Sequence, residues 1–299
     1  MNIIKYDSCP LCKSTQINNQ FTVNDHSISK EDFEIWKCEN CTLQFTQDVP
    51  SQEDIAPYYK SENYISHSDT KKGIVNNLYH RVRNIMLQRK YKLVNKFANS
   101  GTLLDYGSGT GYFPAYVKSQ GKDVKAIEID EEARAYAQRK WDLDVYSPEA
   151  LTDGSLADAS FSVISLWHVM EHLYDPKSYL SRFHELLQEN GTLIIAVPNY
   201  NSNDAEHYGK YWAAYDVPRH LWHFSPKSLI EFASDNGFEL LTMEKMPFDS
   251  FYVSLLSEKY KTGKSSLVSG FWNGFKSYNK AAKDVEKCSS VIYVFRKVI

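Results

Sequence analysis

Residues 101–112 constrain the fold of this chain most, because three glycines occupy alternate positions directly after a short apolar run. The run covers residues 102–104, and an acid, Asp105, follows it. The glycines are Gly107, Gly109 and Gly111. A stretch with helical periodicity begins at Phe113. This order predicts a strand, a glycine loop and a helix, in which the backbone can approach a nucleoside closely.

The residues around the loop indicate the kind of nucleoside. The spacing G-x-G-x-G differs from the dinucleotide fingerprint G-x-G-x-x-G. Asp105 at the strand end suits a cationic ligand better than a pyrophosphate, which prefers an uncharged helix N-terminus. A second predicted strand over residues 124–129 contains Glu128, 17 residues after Gly111. An acid at this place can accept hydrogen bonds from two ribose hydroxyls.

The pattern Asp-x-Gly-x-Gly-x-Gly followed by Glu128 resembles the signature of class I S-adenosylmethionine (SAM)-dependent methyltransferases. Residues 159–173 and 190–199 are similar to the fourth and fifth strands of that fold, so the resemblance covers residues 75–245. It implies an α/β fold with a Rossmann-like seven-stranded sheet and SAM, or its product S-adenosylhomocysteine (SAH), as the ligand. The residues that it places around this ligand are Asp105, Gly107, Gly109, Gly111, Glu128, Ala150, Leu151, Trp167 and His168.

Two C-x-x-C pairs in the first 48 residues predict a structural zinc site. The ligands are Cys9, Cys12, Cys38 and Cys41. Each pair can present two thiolates to one ion, and two pairs complete a closed tetrahedral site. The spacer of 25 residues is longer than in most zinc ribbons, so we expect an extra hairpin loop around residues 18–30. Four cysteines leave no open coordination position, which argues against catalysis at this ion.

The predicted domain organisation has three parts. Residues 1–48 form the zinc-ribbon module, residues 49–70 a linker, and residues 71–299 the methyltransferase domain, with a helical insertion at 247–287. The linker is rich in tyrosine, and Tyr59 and Tyr64 are candidates for acceptor binding or for packing between domains. The aromatic insertion is interpreted as a lid or a homodimer face, with lipid contact as the alternative.

Charge and hydropathy limit the partners. Residues 1–60 contain five lysines, no arginine and nine acids, whereas a ribbon that grips RNA is expected to be basic. We therefore expect no nucleic-acid partner. No apolar run of 18 residues and no apolar signal core occurs, which predicts a cytoplasmic protein without a transmembrane segment. The helix predicted over residues 71–99 has a basic face that fits three roles: solvent exposure, phosphate recognition or contact with an anionic membrane.

The loop predicted at residues 199–225 supplies candidates for the acceptor side. His220 and His223 are candidate general bases, because histidine titrates near neutral pH. Arg219 could hold an anionic acceptor, and Tyr215 is a further candidate contact. The alternative is that these histidines only brace the loop.

The segment His168-Val-Met-Glu-His172 also matches the inverted zinc-peptidase motif H-x-x-E-H. That motif must lie in a helix, whereas here it directly follows a predicted buried strand. The peptidase interpretation is therefore disfavoured. For Glu171 and His172, structural and functional roles both remain open.

The sequence resembles bacterial zinc-ribbon methyltransferases of sugar and surface-polysaccharide pathways. This predicts a small polar acceptor, possibly phosphorylated, such as a hydroxyl or carbon of a sugar or nucleotide sugar. Three alternatives stay open: an RNA methyltransferase, a quinone- or lipid-precursor O-methyltransferase, and a SAM-binding adaptor without catalysis.

Overall fold

The fold was analysed in a computed structural model, which describes residues 1–59, 74–98, 100–264, 267–281 and 283–298. Residues 1–50 form a small β module. Its strands are β1 (Ile3–Ile4), β2 (Ile17–Asn24), β3 (Asp32–Cys38), β4 (Gln44–Thr46) and β5 (Val49–Pro50). The long spacer between the cysteine pairs folds into the β2–β3 hairpin. The extra hairpin is therefore present, although the residues predicted as its loop include most of β2.

The remaining elements alternate between helices and strands. In chain order they are α1 (Ile74–Phe97), β6 (Thr102–Tyr106), α2 (Tyr112–Ser119), β7 (Val124–Ile127), α3 (Glu131–Trp141), β8 (Val145–Tyr146), β9 (Phe161–Trp167), α4 (Pro176–Leu186), β10 (Leu187–Pro198), α5 (Asn203–Tyr208), β11 (Trp222–His223), α6 (Pro226–Ser234), β12 (Phe238–Lys245), α7 (Asp249–Thr262), α8 (Leu267–Ala281) and β13 (Ser290–Lys297).

Seven of these strands form one sheet in the order β12-β13-β10-β9-β6-β7-β8. Neighbouring strands from β10 to β8 are parallel, whereas β13 runs antiparallel to both β10 and β12. The central strands β9 and β10 read as apolar runs because helices cover both faces of a parallel sheet. The predicted seven-stranded Rossmann-like sheet is confirmed.

The parallel topology decides where a ligand can bind. The carboxyl ends of β6, β7, β9 and β10 meet at one edge of the sheet, and the residues that follow them are Gly107, Glu128, His168 and Asn199. Ligands of open α/β sheets bind in the crevice outside this edge.

The ribbon and the methyltransferase domain share a β-sheet. Strand β11 pairs with β4, so that a four-stranded sheet runs β11-β4-β3-β2. Trp222 of β11 lies opposite Phe45, and its indole Nε1 donates to the carbonyl of Leu173 at 2.7 Å. The segment that leaves the carboxyl edge of the seven-stranded sheet after β10 thereby contributes β11 as an edge strand of the ribbon sheet.

The structure describes part of the predicted linker. Residues 49–50 pair with β1 and thus belong to the ribbon module. A short 3₁₀ helix covers Ala56–Tyr59. Tyr64 and the rest of residues 60–70 lie outside the described residues.

The insertion at residues 247–287 is mainly a helical hairpin of α7 and α8. The helices approach closely at Gly274, where a Cβ would lie 2.8 Å from the Cα of Phe251. Three large apolar side chains of the hairpin face solvent: Tyr252, Trp272 and Phe275. The homodimer face stays a prediction. Among the described residues, no helix is long and apolar enough to cross a membrane.

Trp222→Phe should destabilise the protein by about 2–4 kcal/mol, because it leaves a cavity and removes the hydrogen bond to Leu173. Trp222 is 2% exposed, whereas Trp272 is 56% exposed. Trp272→Phe is the matched control and should change the unfolding free energy by less than about 0.5 kcal/mol. Urea unfolding of both variants measures the difference. Equal effects would contradict the tight packing of β11 on the ribbon.

Candidate functional site

The glycine loop joins β6 to α2 and packs against the end of β9. Gly107 has a φ of 76°, and a Cβ there would lie 2.4 Å from Val169 Cγ2. Only glycine combines this left-handed backbone with so close a contact. Gly109 has a φ of 54°, and a Cβ there would meet nothing within 4 Å. The loop is thus held on one side by Val169 and leaves Gly109 facing open space.

Glu128 lies beside the loop, as the ribose assignment requires. One carboxylate oxygen accepts from the amide of Gly109 at 2.6 Å, and the other accepts from the amide of Asp130 at 3.0 Å. Ser108 Oγ in the same loop is buried and has no hydrogen-bond partner among the described residues. An unpaired hydroxyl, an open glycine and an adjacent carboxylate fit a bound nucleoside.

Ala150 and Leu151 lie in a 3₁₀ helix at Pro148–Leu151, and both side chains are buried in the main core. Their position after β8 follows the expected chain order. Their contact with an adenine ring stays a prediction.

Asp105 is buried under the loop and accepts a hydrogen bond from Ser165 Oγ at 2.7 Å. Burial raises the pKa of Asp105 to about 7, although Ser165 and the ammonium of Lys90 oppose this shift. Burial also lowers the pKa of Lys90 to about 8, while Asp105 and Asp249 oppose that shift. The Lys90 ammonium lies 4.4 Å from the centre of the Trp167 ring. Asp105 and Lys90, which lie next to the glycine loop, thus both have pKa values near neutral pH.

His168 connects the donor side to the helical insertion. Its backbone φ of 58° is unusual for a residue other than glycine, and such strain is typical of functional sites. Nε2 lies 3.0 Å from Asp249 Oδ2, and Nδ1 lies 3.4 Å from Glu171 Oε1. Burial opposes the charge on His168, but Asp249 and Glu171 outweigh it and raise its pKa to about 10. His168 is therefore a cation at neutral pH and no proton acceptor.

Glu171, His172 and His220 form a cluster next to His168, which we call the acceptor cluster. One ligand-type atom of each lies within 4.8 Å of the others. Burial and the nearby charge of His220 lower the pKa of His172 to about 4, so that His172 is neutral at pH 7. Val169, which contacts the glycine loop, lies two residues before Glu171. The cluster is thus adjacent to the predicted donor pocket.

Arg219 is almost fully enclosed by protein acceptors. Its guanidinium donates to the carboxylates of Asp216 and Asp25, to Ser27 Oγ and to the carbonyl of Tyr58. Burial opposes its charge, but Asp216 and Asp25 keep its pKa above the usual range. The predicted binding of an anionic acceptor is not tested. The contacts themselves support a role in fixing the loop to the ribbon.

His223 lies away from the acceptor cluster's ligand atoms. Its side chain is buried, and Nε2 lies 3.0 Å from Thr46 Oγ1. Since Thr46 Oγ1 already donates to the carbonyl of His220, it accepts from His223 Nε2. Burial first, and then the charge of His220, hold the pKa of His223 well below its usual value. Tyr215 is buried too, with its ring 5.0 Å from that of His223.

Tyr59 is the one described tyrosine of the linker prediction that reaches the acceptor cluster. Its hydroxyl lies 3.1 Å from His172 Nδ1. The structure thus brings His220, His172 and Tyr59 together, whereas Arg219, His223 and Tyr215 face the ribbon seam. The roles predicted for these residues stay predictions.

The four cysteines can hold a tetrahedral metal ion. Cys9 Sγ and Cys41 Sγ are 3.6 Å apart, Cys12 Sγ and Cys38 Sγ are 3.5 Å apart, and all four lie within 4.8 Å. Sulfur atoms around a zinc ion are expected about 3.8 Å apart. The contact with the Cys41 thiol and two backbone amides lower the pKa of Cys9 to about 5, and the same contact raises the pKa of Cys41. The donor set therefore fits the predicted structural zinc.

Comparison with known families decides the membership of the chain. A family model described as a methyltransferase domain matches residues 78–243, more than half of the 299 residues. The chain belongs to this methyltransferase-domain family. The matched segment contains the glycine loop, Glu128, His168 and the acceptor cluster.

Relatives of this methyltransferase-domain protein are similar over different shares of their length. A probable S-adenosylmethionine-dependent methyltransferase of Mycobacterium tuberculosis is 28% identical over 97 residues, which are 32% of this chain and 35% of that protein. The chain thus matches little more than a third of that relative. The ubiquinone biosynthesis O-methyltransferase of Rickettsia typhi is 26% identical over 199 residues, which are 62% of this chain and 80% of that protein.

Solved structures agree with the fold. A SAM-dependent methyltransferase from Archaeoglobus fulgidus has a TM-score of 0.50 at 20% identity and covers 72% of this chain and 94% of its own. The 1,6-didemethyltoxoflavin-N1-methyltransferase of Burkholderia thailandensis, solved with S-adenosylhomocysteine, has a TM-score of 0.51 at 16% identity and covers 92% and 99%. The predicted fold is confirmed.

Sequence reasoning missed two charged residues of the site. Lys90 belongs to the helix for which the sequence predicts a basic face, yet it lies at helical spacing from the buried Leu87 and Val94, a signal that points to the interior. Asp249 begins α7, and the sequence carries no signal that brings it to His168.

Gly107→Ala should weaken SAH binding about 10- to 100-fold, because the new methyl group collides with Val169 in a strained backbone. Gly121→Ala is the matched control, since Gly121 has a similar φ of 80° but nothing within 4 Å of a Cβ. It lies at the opposite edge of the sheet and should leave SAH affinity unchanged. Calorimetric titration with SAH measures both. Equal losses would show that strain alone, not the fit of the loop, explains the effect.

Asp105→Asn should become progressively more stable than the wild type as the pH rises from 4 to 7. The folded pKa of about 7 lies above the unfolded value of about 3.9, so in this window the folded wild type holds a proton that the unfolded chain has released, and its stability falls as the pH rises. The slope of the difference should approach about 1.4 kcal/mol per pH unit. Denaturant unfolding at several pH values measures it. A difference that does not depend on pH would contradict the raised pKa.

Proposed function

We propose that this protein transfers the methyl group of SAM to a hydroxyl group of a small polar acceptor, in the class of sugars and nucleotide sugars. The observation that carries the proposal is the acceptor cluster beside the donor loop. Hydroxyl acceptors lose a proton on methylation, whereas the sulfonium donor is already activated. A site for O-methylation therefore needs a basic group near the donor, and Glu171, His172 and His220 supply such groups.

The residues of the donor side have separate tasks. SAM supplies a methyl group on a positively charged sulfur. The glycine loop and Glu128 hold the nucleoside, and the ionised form of Asp105 offers a negative charge that suits a cation. Lys90 and Trp167 close this side beneath α1. Because alignment and exclusion of water supply much of the rate in such a displacement, the buried walls of the pocket are part of the mechanism.

The acceptor side is assembled from three parts of the chain. The end of β9 gives Glu171 and His172, the loop before β11 gives His220, and the linker gives Tyr59. The hydroxyl proton leaves toward the cluster as the acceptor oxygen attacks the methyl group. Because the ribbon pairs with β11, it fixes the loop that carries His220 and borders the acceptor entrance. The predicted sugar acceptor is supported by the resemblance to zinc-ribbon methyltransferases of polysaccharide pathways.

A quinone or lipid precursor is the second candidate acceptor. It is favoured by the Rickettsia typhi ubiquinone biosynthesis O-methyltransferase, which matches over 80% of its length. The exposed aromatic side chains of α7 and α8 would suit such a partner, and the hydroxyl chemistry would be the same.

Incubation of the purified protein with SAM and a panel of nucleotide sugars and phenolic quinone precursors should yield SAH and one O-methylated product. His220→Ala should lower kcat about 10²- to 10⁴-fold while SAH affinity is retained, because the acceptor's proton then has no route through the cluster. His207→Ala removes an exposed histidine outside the site and serves as the control. Mass spectrometry identifies the product. Undiminished turnover of His220→Ala with a hydroxyl acceptor would refute the role of the cluster.

A further inference from the structure

Glu171 is the most unusual side chain of the acceptor cluster. It is fully buried, and neither carboxylate oxygen has a hydrogen-bond partner among the described residues. The cationic ring of His168 forms an ion pair with Glu171, with Nδ1 3.4 Å from one oxygen, but no described group donates a hydrogen bond to either oxygen. An ion pair alone leaves the lone pairs of a buried carboxylate unused, and such oxygens normally accept hydrogen bonds or bind a metal ion.

The two histidines of the cluster both use Nδ1 for a hydrogen bond to the backbone, which leaves Nε2 for a ligand. His172 Nδ1 lies 2.9 Å from the carbonyl oxygen of Arg219, and His220 Nδ1 lies 2.8 Å from that of Ala214. A carbonyl oxygen only accepts, so each Nδ1 carries the hydrogen and donates it. In the neutral ring the lone pair then resides on Nε2. Neither Nε2 atom has a hydrogen-bond partner among the described residues; the nearest acid to His220 Nε2 is Asp216 Oδ2, at 4.0 Å.

This arrangement has the form of a metal site with its supporting hydrogen bonds in place. Histidines that bind a metal through one ring nitrogen usually donate the other N–H to a backbone carbonyl or a carboxylate, which fixes tautomer and ring orientation. The rings of His172 and His220 stand at 81° with centres 4.6 Å apart. The ligand atoms of all three residues lie within 4.8 Å, a distance that a single ion can bridge with bonds of about 2.0–2.2 Å after small adjustments.

We propose that Glu171, His172 and His220 bind one divalent transition-metal ion, separate from the zinc of the four cysteines. Two imidazoles and one carboxylate suit manganese, iron, cobalt or zinc, whereas calcium and magnesium prefer all-oxygen sites. Three protein ligands leave positions open for a further ligand, as in catalytic rather than structural sites.

The catalytic consequence rests on the proposed function. An acceptor hydroxyl bound to the ion has a lowered pKa, so that its proton passes to water at neutral pH. The acceptor oxygen then forms a bond to the methyl carbon, the bond from that carbon to sulfur breaks, and the sulfur keeps the electron pair. With the ion bound, His220 and His172 would serve as its ligands, so the proton that the cluster takes up without the ion would pass to water instead.

Cobalt(II) titration of the zinc-loaded, full-length protein tests the site without SAM or acceptor. Nitrogen and oxygen ligands give Co²⁺ weak visible absorption, whereas replacement of zinc at four thiolates adds an intense sulfur-to-cobalt band. We expect one Co²⁺ per chain to bind while the ribbon keeps its zinc. Glu171→Gln and His220→Ala should each weaken this binding by on the order of 100-fold, since each removes a ligand. His207→Ala, the exposed control, should bind Co²⁺ as the wild type does.

Zinc content and SAH affinity report whether each variant is folded, and at least one of the two ligand variants must pass both checks. The proposal is overturned if the wild type takes up no Co²⁺ beyond the ribbon, or if a folded ligand variant binds Co²⁺ with wild-type affinity. Since neither SAM nor acceptor is present, a failed search for a methyl acceptor leaves this result untouched. Conversely, methylation by a protein that binds no Co²⁺ would retain the proposed function and reject the metal.

Discussion

The buried guanidinium of Arg219 is the contact on which the arrangement of the acceptor side depends. It joins Asp25 in the turn of the ribbon hairpin, the carbonyl of Tyr58 in the linker and Asp216 in the active-site loop. Removing one partner of such a buried pair typically costs about 3–5 kcal/mol, because the other charge is left unpaired. His220 is the next residue in the chain, so the same network also fixes the position of His220 in the acceptor cluster.

This network explains why a structural zinc belongs in the protein. The four cysteines lie at the base of the β2–β3 hairpin, whose turn carries Asp25, and β4 accepts β11 as a neighbouring strand. A module of about 50 residues has too small a core to order itself, so a metal would supply much of its folding free energy. A metal ion at the cysteines would stabilise the ribbon, and the ribbon holds the loop beside Glu171 through the pairing of β4 with β11. The ribbon acts as a scaffold for the acceptor side.

The glycine loop of the donor side could be predicted from the sequence because the residues that form it are close together in the chain. A strand, alternate glycines and a helix follow one another without interruption, and Glu128 comes one strand later. The position of Lys90 was missed, since a lysine on a basic helix is normally solvent-exposed, and only its spacing from buried neighbours points inward. The contact of Asp249 with His168 joins residues 81 positions apart, and no local pattern encodes it.

The sequence alone indicated the donor loop and the four cysteine ligands, because each depends on spacing within a short stretch, and the family resemblance carried by these motifs implied the seven-stranded fold. The tertiary structure decided which histidine lies in the cluster with Glu171 and His172. His220 and His223 are equivalent candidates in the sequence, but pairing of β11 with β4 buries His223 against Thr46 and leaves His220 beside Glu171. His220 lies in the loop before β11 and His223 within β11, and this difference depends on a strand pairing over long sequence separation that no local pattern encodes.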